Sequence, residues 1–471
     1  MGTLLVRNAD VLVTMDGSRR EIAGGGLFAR DGVIEAVGPE DALPEAADEV
    51  LDARGQLLLP GLVNCHHHLD QTLTRNLPAA QNTNLFPWLL VHYRIWAAKT
   101  PDELRNAVML GCAELALSGC TTVFDQTYIF QNGCRLDDEI DGARQAGLRF
   151  VASRGSMSLG QSQGGLPPDE CCESESFILE DSDRLISRYH DPNHGAMMQI
   201  VLAPCSPFSV TDTLMRESAA LARRRGVRLH THLCETIEEE RFTLGRFGLR
   251  PVAYMETLDW VGDDVWYAHA IHVDDEEIGL FARRGVGVCH CPSSNMRLAS
   301  GIAPVRQYRD RGVKVGLGVD GSASNDGNHM LGEARQAMLL ARLRMGLRPP
   351  EGPVTDFLPS DPRRAAEWMT AREALEIATL GGAAVLGRSD IGSLEPGKRA
   401  DFFTVDLSDV AYAGALSDPV AAALFSSPTR ARHTVVDGRF VVRDGAMTTM
   451  DLPLVIEAHN RAARRLASVA S

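Results

Sequence analysis

The chain has 471 residues, too many for one small domain, and its content of 44% hydrophobic and 23% charged residues is that of globular material able to bury a large core. A net charge of −15 argues against a polyanionic partner, because nucleic-acid binding needs clustered basic charge, so no nucleic-acid partner is expected. No apolar run reaches the roughly eighteen uncharged residues of a membrane span, MGTLLVRNAD lacks the features of a secretory signal, and the ten cysteines show neither a secreted framework nor paired CxxC motifs; a cytoplasmic protein with no membrane partner and reduced thiols is the expectation.

In chain order, residues 1–57 hold short β-like runs punctuated by Asp16-Gly17 and Asp31-Gly32 turns. Next comes LLLPGLVNCHHHLDQTLTR, an apolar run ending in three histidines; in extended chain His66 and His68 share a face while His67 points away. FPWLLVHYRIWAAKT follows, where Trp88, Tyr93 and Trp96 either wall a flat pocket or are helix core, at least one of them core. Apolar β-rich runs then recur as CTTVFD, RFVASRG, MQIVLAPC, VRLHTHL, VWYAHA, VGVCHC and VKVGLGVD, with helical patterns such as PDELRNAVMLGCAELALSG and TDTLMRESAALARRRG between them. Counted with LVNCHHH these are eight strands alternating with helices, which predicts an α/β fold with a (β/α)8 barrel over residues 58–387. A doubly wound sheet is disfavoured, since no GxGxxG follows the first strand. Residues 388–471 return to β-like runs with an Asp437-Gly438 turn and end in an amphipathic helix, VIEAHNRAARRLASVA. Both termini are expected to pair into one small β-sandwich.

Six polar residues fall where these strands end: His66, His68, His232, Glu235, His269 and Asp320. Singly each has an ordinary explanation, a hydrogen-bonded core histidine or a turn aspartate. Together, at the strand ends where barrel enzymes place their chemistry, they suit one first-row divalent metal with a carboxylate and an imidazole left over to move protons at an activated water. His230 has the same parity as His232 and either faces the same pocket or packs. The Cys289-His290-Cys291 triplet reads as a strand end with buried thiols, because alternation sets His290 opposite the two cysteines.

The order PGLVNCHHH, HTHLCET, AHAIH and GVDGSASND resembles the amidohydrolase superfamily, in its mononuclear deaminase and chlorohydrolase branch, over essentially the whole chain. The resemblance implies His66, His68, His232 and Asp320 as metal ligands, Glu235 as proton shuttle, and His269, with Asp320, as the groups that orient the attacking water. Binuclear relatives bridge two ions with a carboxylated lysine at the end of the fourth strand; only Lys99, Lys314 and Lys398 occur here, none near MQIVLAPCSPF, so one ion per chain is expected, zinc by preference with ferrous iron able to fill the same donors. NCHHHLDQTLTRN, SRGSMSLGQSQGGLPPD and APCSPFSV look like segments of purine and triazine hydrolases, bacterial 8-oxoguanine deaminases above all. That implies hydrolytic deamination of a small purine-like heterocycle, with isoxanthopterin, guanine or an s-triazine as rival substrates, by a homo-oligomer. Gln71 is a candidate amide partner for the ring edge or a surface residue; Arg154 meets an oxo group or forms a structural ion pair; Cys205 stands where a substrate-facing histidine or the bridging lysine sits in relatives. A different class of reading, a non-catalytic barrel that binds a protein, predicts missing ligands, and none is missing. A cytidine-deaminase zinc fold is disfavoured, since HLCETIEEE gives no HxE and no PCxxC follows.

Overall fold

Every residue of the strands Leu62–Asn64 (β6), Cys120–Asp125 (β7) and Arg149–Ser156 (β8) is buried, the mark of parallel strands covered on both faces. The computed structural model describes residues 2–347 and 368–469. In it these strands and Met198–Pro204 (β9), Leu229–Leu233 (β10), Val265–His269 (β11), Gly287–His290 (β12) and Lys314–Leu317 (β13) close into a parallel barrel, sealed where Leu317 pairs with Asn64. All eight expected strands are there.

Side-chain parity sorts each strand. Val63, Phe124, Val151, Val201, Trp266 and Cys289 fill the barrel interior, whereas Phe150, Ala152, Ile200, Leu202, Val265 and Tyr267 face the surrounding helices. The expected helices form at Pro101–Leu117 and Asp212–Arg225. The first opens with a Thr100–Glu103 capping box and a proline at its first turn, so its leading N–H groups are satisfied locally.

The two chain ends meet as one mixed sheet with nine strands. N-terminal strands Thr3–Val13 (β1), Glu21–Arg30 (β2), Val33–Pro39 (β3), Glu49–Asp52 (β4) and Gln56–Pro60 (β5) join C-terminal strands Phe402–Asp406 (β14), His433–Val436 (β15), Arg439–Arg443 (β16) and Ala446–Met447 (β17) in the order β17-β16-β15-β14-β5-β1-β2-β3, with β4 also on β1. The expected sandwich is thus a single hydrogen-bonded sheet, joined across the chain by the antiparallel β5–β14 pair. Two of the three DG turns sit at tight hairpins: Asp31 and Gly32 have φ of 50° and 78°, Asp437 and Gly438 of 55° and 77°. Alternation again divides the contacts, Leu58 and Phe402 entering the sheet's own core while Leu57, Leu59 and Phe403 pack with the barrel. A buried ion pair pins the two parts together: Arg149, at the start of β8, donates to Asp401 at 3.0 and 3.1 Å and to the carbonyls of Gly195 and Ala196. The last helix, Leu452–Ala467, lies against Pro101–Leu117.

Candidate active site

The barrel's strand ends deliver the six polar residues to one place. His66 and His68 leave β6, His232 is the fourth residue of β10, Glu235 follows that strand, His269 ends β11 and Asp320 follows β13. Two of them need an unusual backbone. His269 shares parity with the outward-facing Val265 and Tyr267, and a left-handed φ of 69° swings it inward; Asp320 has φ of 60°. Such conformations cost about 1–3 kcal/mol for a residue with a Cβ and persist where the surroundings over-determine them.

Each imidazole is tied at its far nitrogen. His68 Nδ1 lies 2.6 Å from the Gln126 carbonyl and His232 Nδ1 2.7 Å from the Cys205 carbonyl. A carbonyl only accepts, so both Nδ1 atoms carry the hydrogen and the neutral rings present bare lone pairs at Nε2. These two Nε2 atoms stand 3.2 Å apart, and His66 Nε2 is buried with no hydrogen-bond donor or acceptor. Burial holds His66 down at about 4 and His232 well below the ordinary imidazole range, so both rings are neutral at pH 7. Asp320 Oδ1 completes the group at 3.3 Å from His66 Nε2 and 3.4 Å from His68 Nε2. Lone pairs facing one another at this range repel unless a cation lies between them, so the donor set fits a divalent ion, with His66, His68, His232 and Asp320 able to hold it. Among the described residues the candidate ligand groupings are His66–His68–Asp320 and His66–His232–His269.

Glu235 sits beside this group, its Oε2 3.5 Å from His269 Nε2, and is buried. Burial, then the charge of Asp320, pushes its carboxyl well above the usual range. Its backbone is held by Glu239, whose two carboxylate oxygens accept from Cys234 N at 2.8 Å and Glu235 N at 2.9 Å. His269 Nδ1 is 2.9 Å from Asn295 Oδ1, and its Nε2 is also 3.8 Å from Asp320 Oδ2.

A cavity of about 30 Å³ opens on these groups, walled by Trp88, Leu89, Tyr128, Phe208 and Leu298, with Gln71, Cys205, Ser206 and Ser324 as its other polar surfaces. The helix Leu85–Ala97 carries Leu85, Trp88 and Leu89 of that wall. Gln71 is buried rather than a surface residue, and its Oε1 has no hydrogen-bond partner. Its side chain lies against Gly321, where a Cβ would come within 1.8 Å of Oε1. Of the three aromatics weighed from the sequence, Trp88 faces the cavity while Tyr93 and Trp96 are core, Trp96 donating to Thr74 Oγ1 at 2.9 Å. His290 takes no part in either ligand grouping, and Lys99 is buried against Asp70 at 2.9 Å without reaching the cavity.

Arg154 does not line the cavity. It shares parity with Phe150 and Ala152, faces the helices, and donates to Asp181 at 2.9 Å and to both oxygens of Glu173 at 2.9 and 3.0 Å, with its guanidinium over Phe130. Of the two readings of Arg154, the geometry matches the ion pair. The sequence pattern does not single out Tyr128, Ser206, Phe208 or Ser324, although they follow β7, β9 and β13, where a barrel puts its site, the first three in loops and Ser324 in the short helix Ser322–Asn325.

Comparison with known proteins agrees with this geometry. The model of the amidohydrolase family matches residues 57–441. The chain belongs to the amidohydrolase family. It is 45% identical over 469 residues to an 8-oxoguanine deaminase of Pseudomonas aeruginosa, covering 99% of each chain, and 38% identical over 428 residues to an isoxanthopterin deaminase from an unknown prokaryotic organism, covering 88% of this chain and 87% of that one. The zinc complex of an atrazine chlorohydrolase from Arthrobacter aurescens superposes with a TM-score of 0.88 at 32% identity, over 98% of this chain and 100% of the other. The fold and the hydrolase class of this enzyme are thereby fixed, and no described helix is long and apolar enough to cross a membrane.

Proposed function

We propose that this enzyme deaminates 8-oxoguanine, converting it with water to urate and ammonia, at one zinc ion per chain held by His66, His68, His232 and Asp320. The observation that carries the reading is the convergence of bare Nε2 lone pairs and Asp320 beside a buried Glu235, in a cavity lined by Gln71, whose Oε1 is unpaired. The 45% identity to an 8-oxoguanine deaminase over the full length supports the choice of ring.

A divalent ion bound there would acidify and polarise water for attack on an electron-poor carbon. The chain's own residues do the rest. Glu235, its carboxyl poised high by burial, accepts a proton from the water and returns it first to a ring nitrogen and then to the departing amine. His269, anchored by Asn295, holds its Nε2 against Glu235 and Asp320 and fixes the line of attack. Trp88 and Phe208 flank the ring and keep bulk water out, and Gln71 Oε1 accepts from a ring N–H. In 8-oxoguanine the carbon attacked is C2, flanked by ring nitrogens, and loss of its amino group leaves the third oxo group of urate.

A pocket that pairs with the 8-oxo, N7–H edge strands a polar group when guanine binds, which supports a discrimination of up to roughly 10⁴-fold. Isoxanthopterin shares the amino-oxo ring edge and is the second reading, favoured by the 38% identical deaminase. We also propose a cytoplasmic enzyme and, on the family resemblance, a homo-oligomer, most simply a two-fold dimer. The test is product formation from 8-oxoguanine, guanine, isoxanthopterin and hydroxylated s-triazines under one set of conditions. Urate with stoichiometric ammonia, at the highest kcat/KM of the series, is expected; faster turnover of guanine or a triazine removes the substrate assignment and leaves the metal hydrolase.

A further inference from the structure

His230 lies deep in the barrel, has no place among the metal ligands, and does not line the cavity. Yet among the described residues it is the sole partner of His66 Nδ1, at 2.9 Å through its Nε2, while its own Nδ1 reaches the Trp266 carbonyl at 3.1 Å. We propose that His230 is a positioning residue of the metal centre, which relays a backbone carbonyl to His66 and thereby locks His66 in the tautomer that leaves Nε2 free to ligate. The proposal rests on the reading of His66 as a ligand.

The geometry dictates the direction of every hydrogen. The Trp266 carbonyl can only accept, so His230 Nδ1 carries the hydrogen and the Nε2 of a neutral ring bears a lone pair. That lone pair accepts from His66 Nδ1–H, and the opposite nitrogen of His66 is left bare, facing Asp320 Oδ1 at 3.3 Å. The other two histidine ligands need no relay, because Gln126 and Cys205 offer their carbonyls directly. For His66 the carbonyl at Trp266 is one imidazole away, and His230 spans the gap.

The ring is also prevented from turning over. It stacks on Trp266 with centroids 4.6 Å apart at 30°, and meets Phe124 at 4.7 Å edge-on. A flipped or rotated imidazole would give up the carbonyl and present a hydrogen to His66. The strand supplies both functions at once: in β10 the alternation that sends His232 to the metal sends His230, two residues earlier, to the same interior one layer deeper. Partners that orient a ligating histidine are worth typically 10- to 100-fold in metal affinity.

The experiment measures zinc affinity of metal-free protein by competition with a fluorescent chelator, for the wild type, His230→Leu and His230→Gln. Leucine has no acceptor, so its affinity is expected to fall about 10- to 100-fold; glutamine can accept from His66 Nδ1–H and should hold affinity within a few-fold of wild type. Thermal unfolding of the metal-free forms separates this pattern from packing, since a purely structural His230 would make both variants unstable alike without distinguishing them in affinity. Wild-type affinity in His230→Leu overturns the proposal. If that variant does not fold, neutron diffraction from deuterium-exchanged wild-type crystals decides: deuterium on Nδ1 of both His230 and His66 is expected, and deuterium on His230 Nε2 overturns the relay. A wild type that binds no zinc tightly would instead refute His66 as a ligand, and the relay with it.

Discussion

Replacing Glu235 with glutamine separates proton transfer from metal binding. The side chain is buried, it belongs to neither ligand grouping, and its Oε2 contact is His269 Nε2 at 3.5 Å. The amide keeps size and polarity but cannot accept a proton, and loss of a positioned acid-base group costs roughly 10²- to 10⁴-fold in rate, about 3–5 kcal/mol of barrier at 1.36 kcal/mol per tenfold. Metal content should remain at the wild-type level. Stability gives an independent check on the metal-free protein. The folded-state pKa of this carboxyl is raised, so above the unfolded value of about 4.5 an ionised Glu235 opposes folding, and the neutral amide removes that opposition. The variant is therefore expected to melt at the same or a higher temperature at pH 7. The assay is single-turnover release of ammonia from 8-oxoguanine at saturating enzyme, paired with elemental analysis. Turnover within about threefold of wild type, with metal retained, would remove Glu235 from the chemistry.

Gln71→Leu leaves the ring edge unpaired while keeping the ligands, so kcat/KM for 8-oxoguanine should drop by roughly 10- to 100-fold with metal content unchanged, the cost of about 1–3 kcal/mol for one buried polar group; unaltered kcat/KM would take Gln71 out of recognition. Arg154→Met removes the cation from between Asp181 and Glu173, and breaking such a buried pair costs about 3–5 kcal/mol, so thermal unfolding should shift down while kcat/KM, measured well below the transition, stays as it was. A change in substrate preference in that variant would restore Arg154 to the site. Light scattering at micromolar concentration should report an oligomer, and a monomer would contradict the proposed two-fold assembly.

The residues proposed as ligands are legible in the sequence because strand alternation and strand ends are local properties. His66 and His68 converge and His67 does not, as extended chain requires; the same rule puts His230 and His232 on one face, and only the family resemblance singles out His232. Arg154 is not legible in this way: it shares parity with Phe150 and Ala152, but β8 is buried on both faces and carries no polar alternation to mark which side is the interior. His269 shows the opposite difficulty. Parity with Val265 and Tyr267 points it away from the site, and only the left-handed turn at its own φ brings it in. Tyr128, Phe208 and Ser324 come from three different segments after β7, β9 and β13, and no periodicity joins residues whose proximity is created by barrel closure. The role of His230 depends on a 2.9 Å contact across 164 positions of chain, which spacing does not encode. The terminal sheet was foreseen from its turns, while its continuity came from the β5–β14 pairing between distant segments.

The account stands most directly on one ion lying where the lone pairs of His66, His68 and His232 meet Asp320. Anomalous diffraction at the zinc edge from protein purified without chelator, together with elemental analysis, tests it. One peak per chain between the three Nε2 atoms and Asp320 Oδ1, with about one equivalent of metal, is the predicted result. Two peaks in the active enzyme, or a single peak away from these four residues, would contradict it.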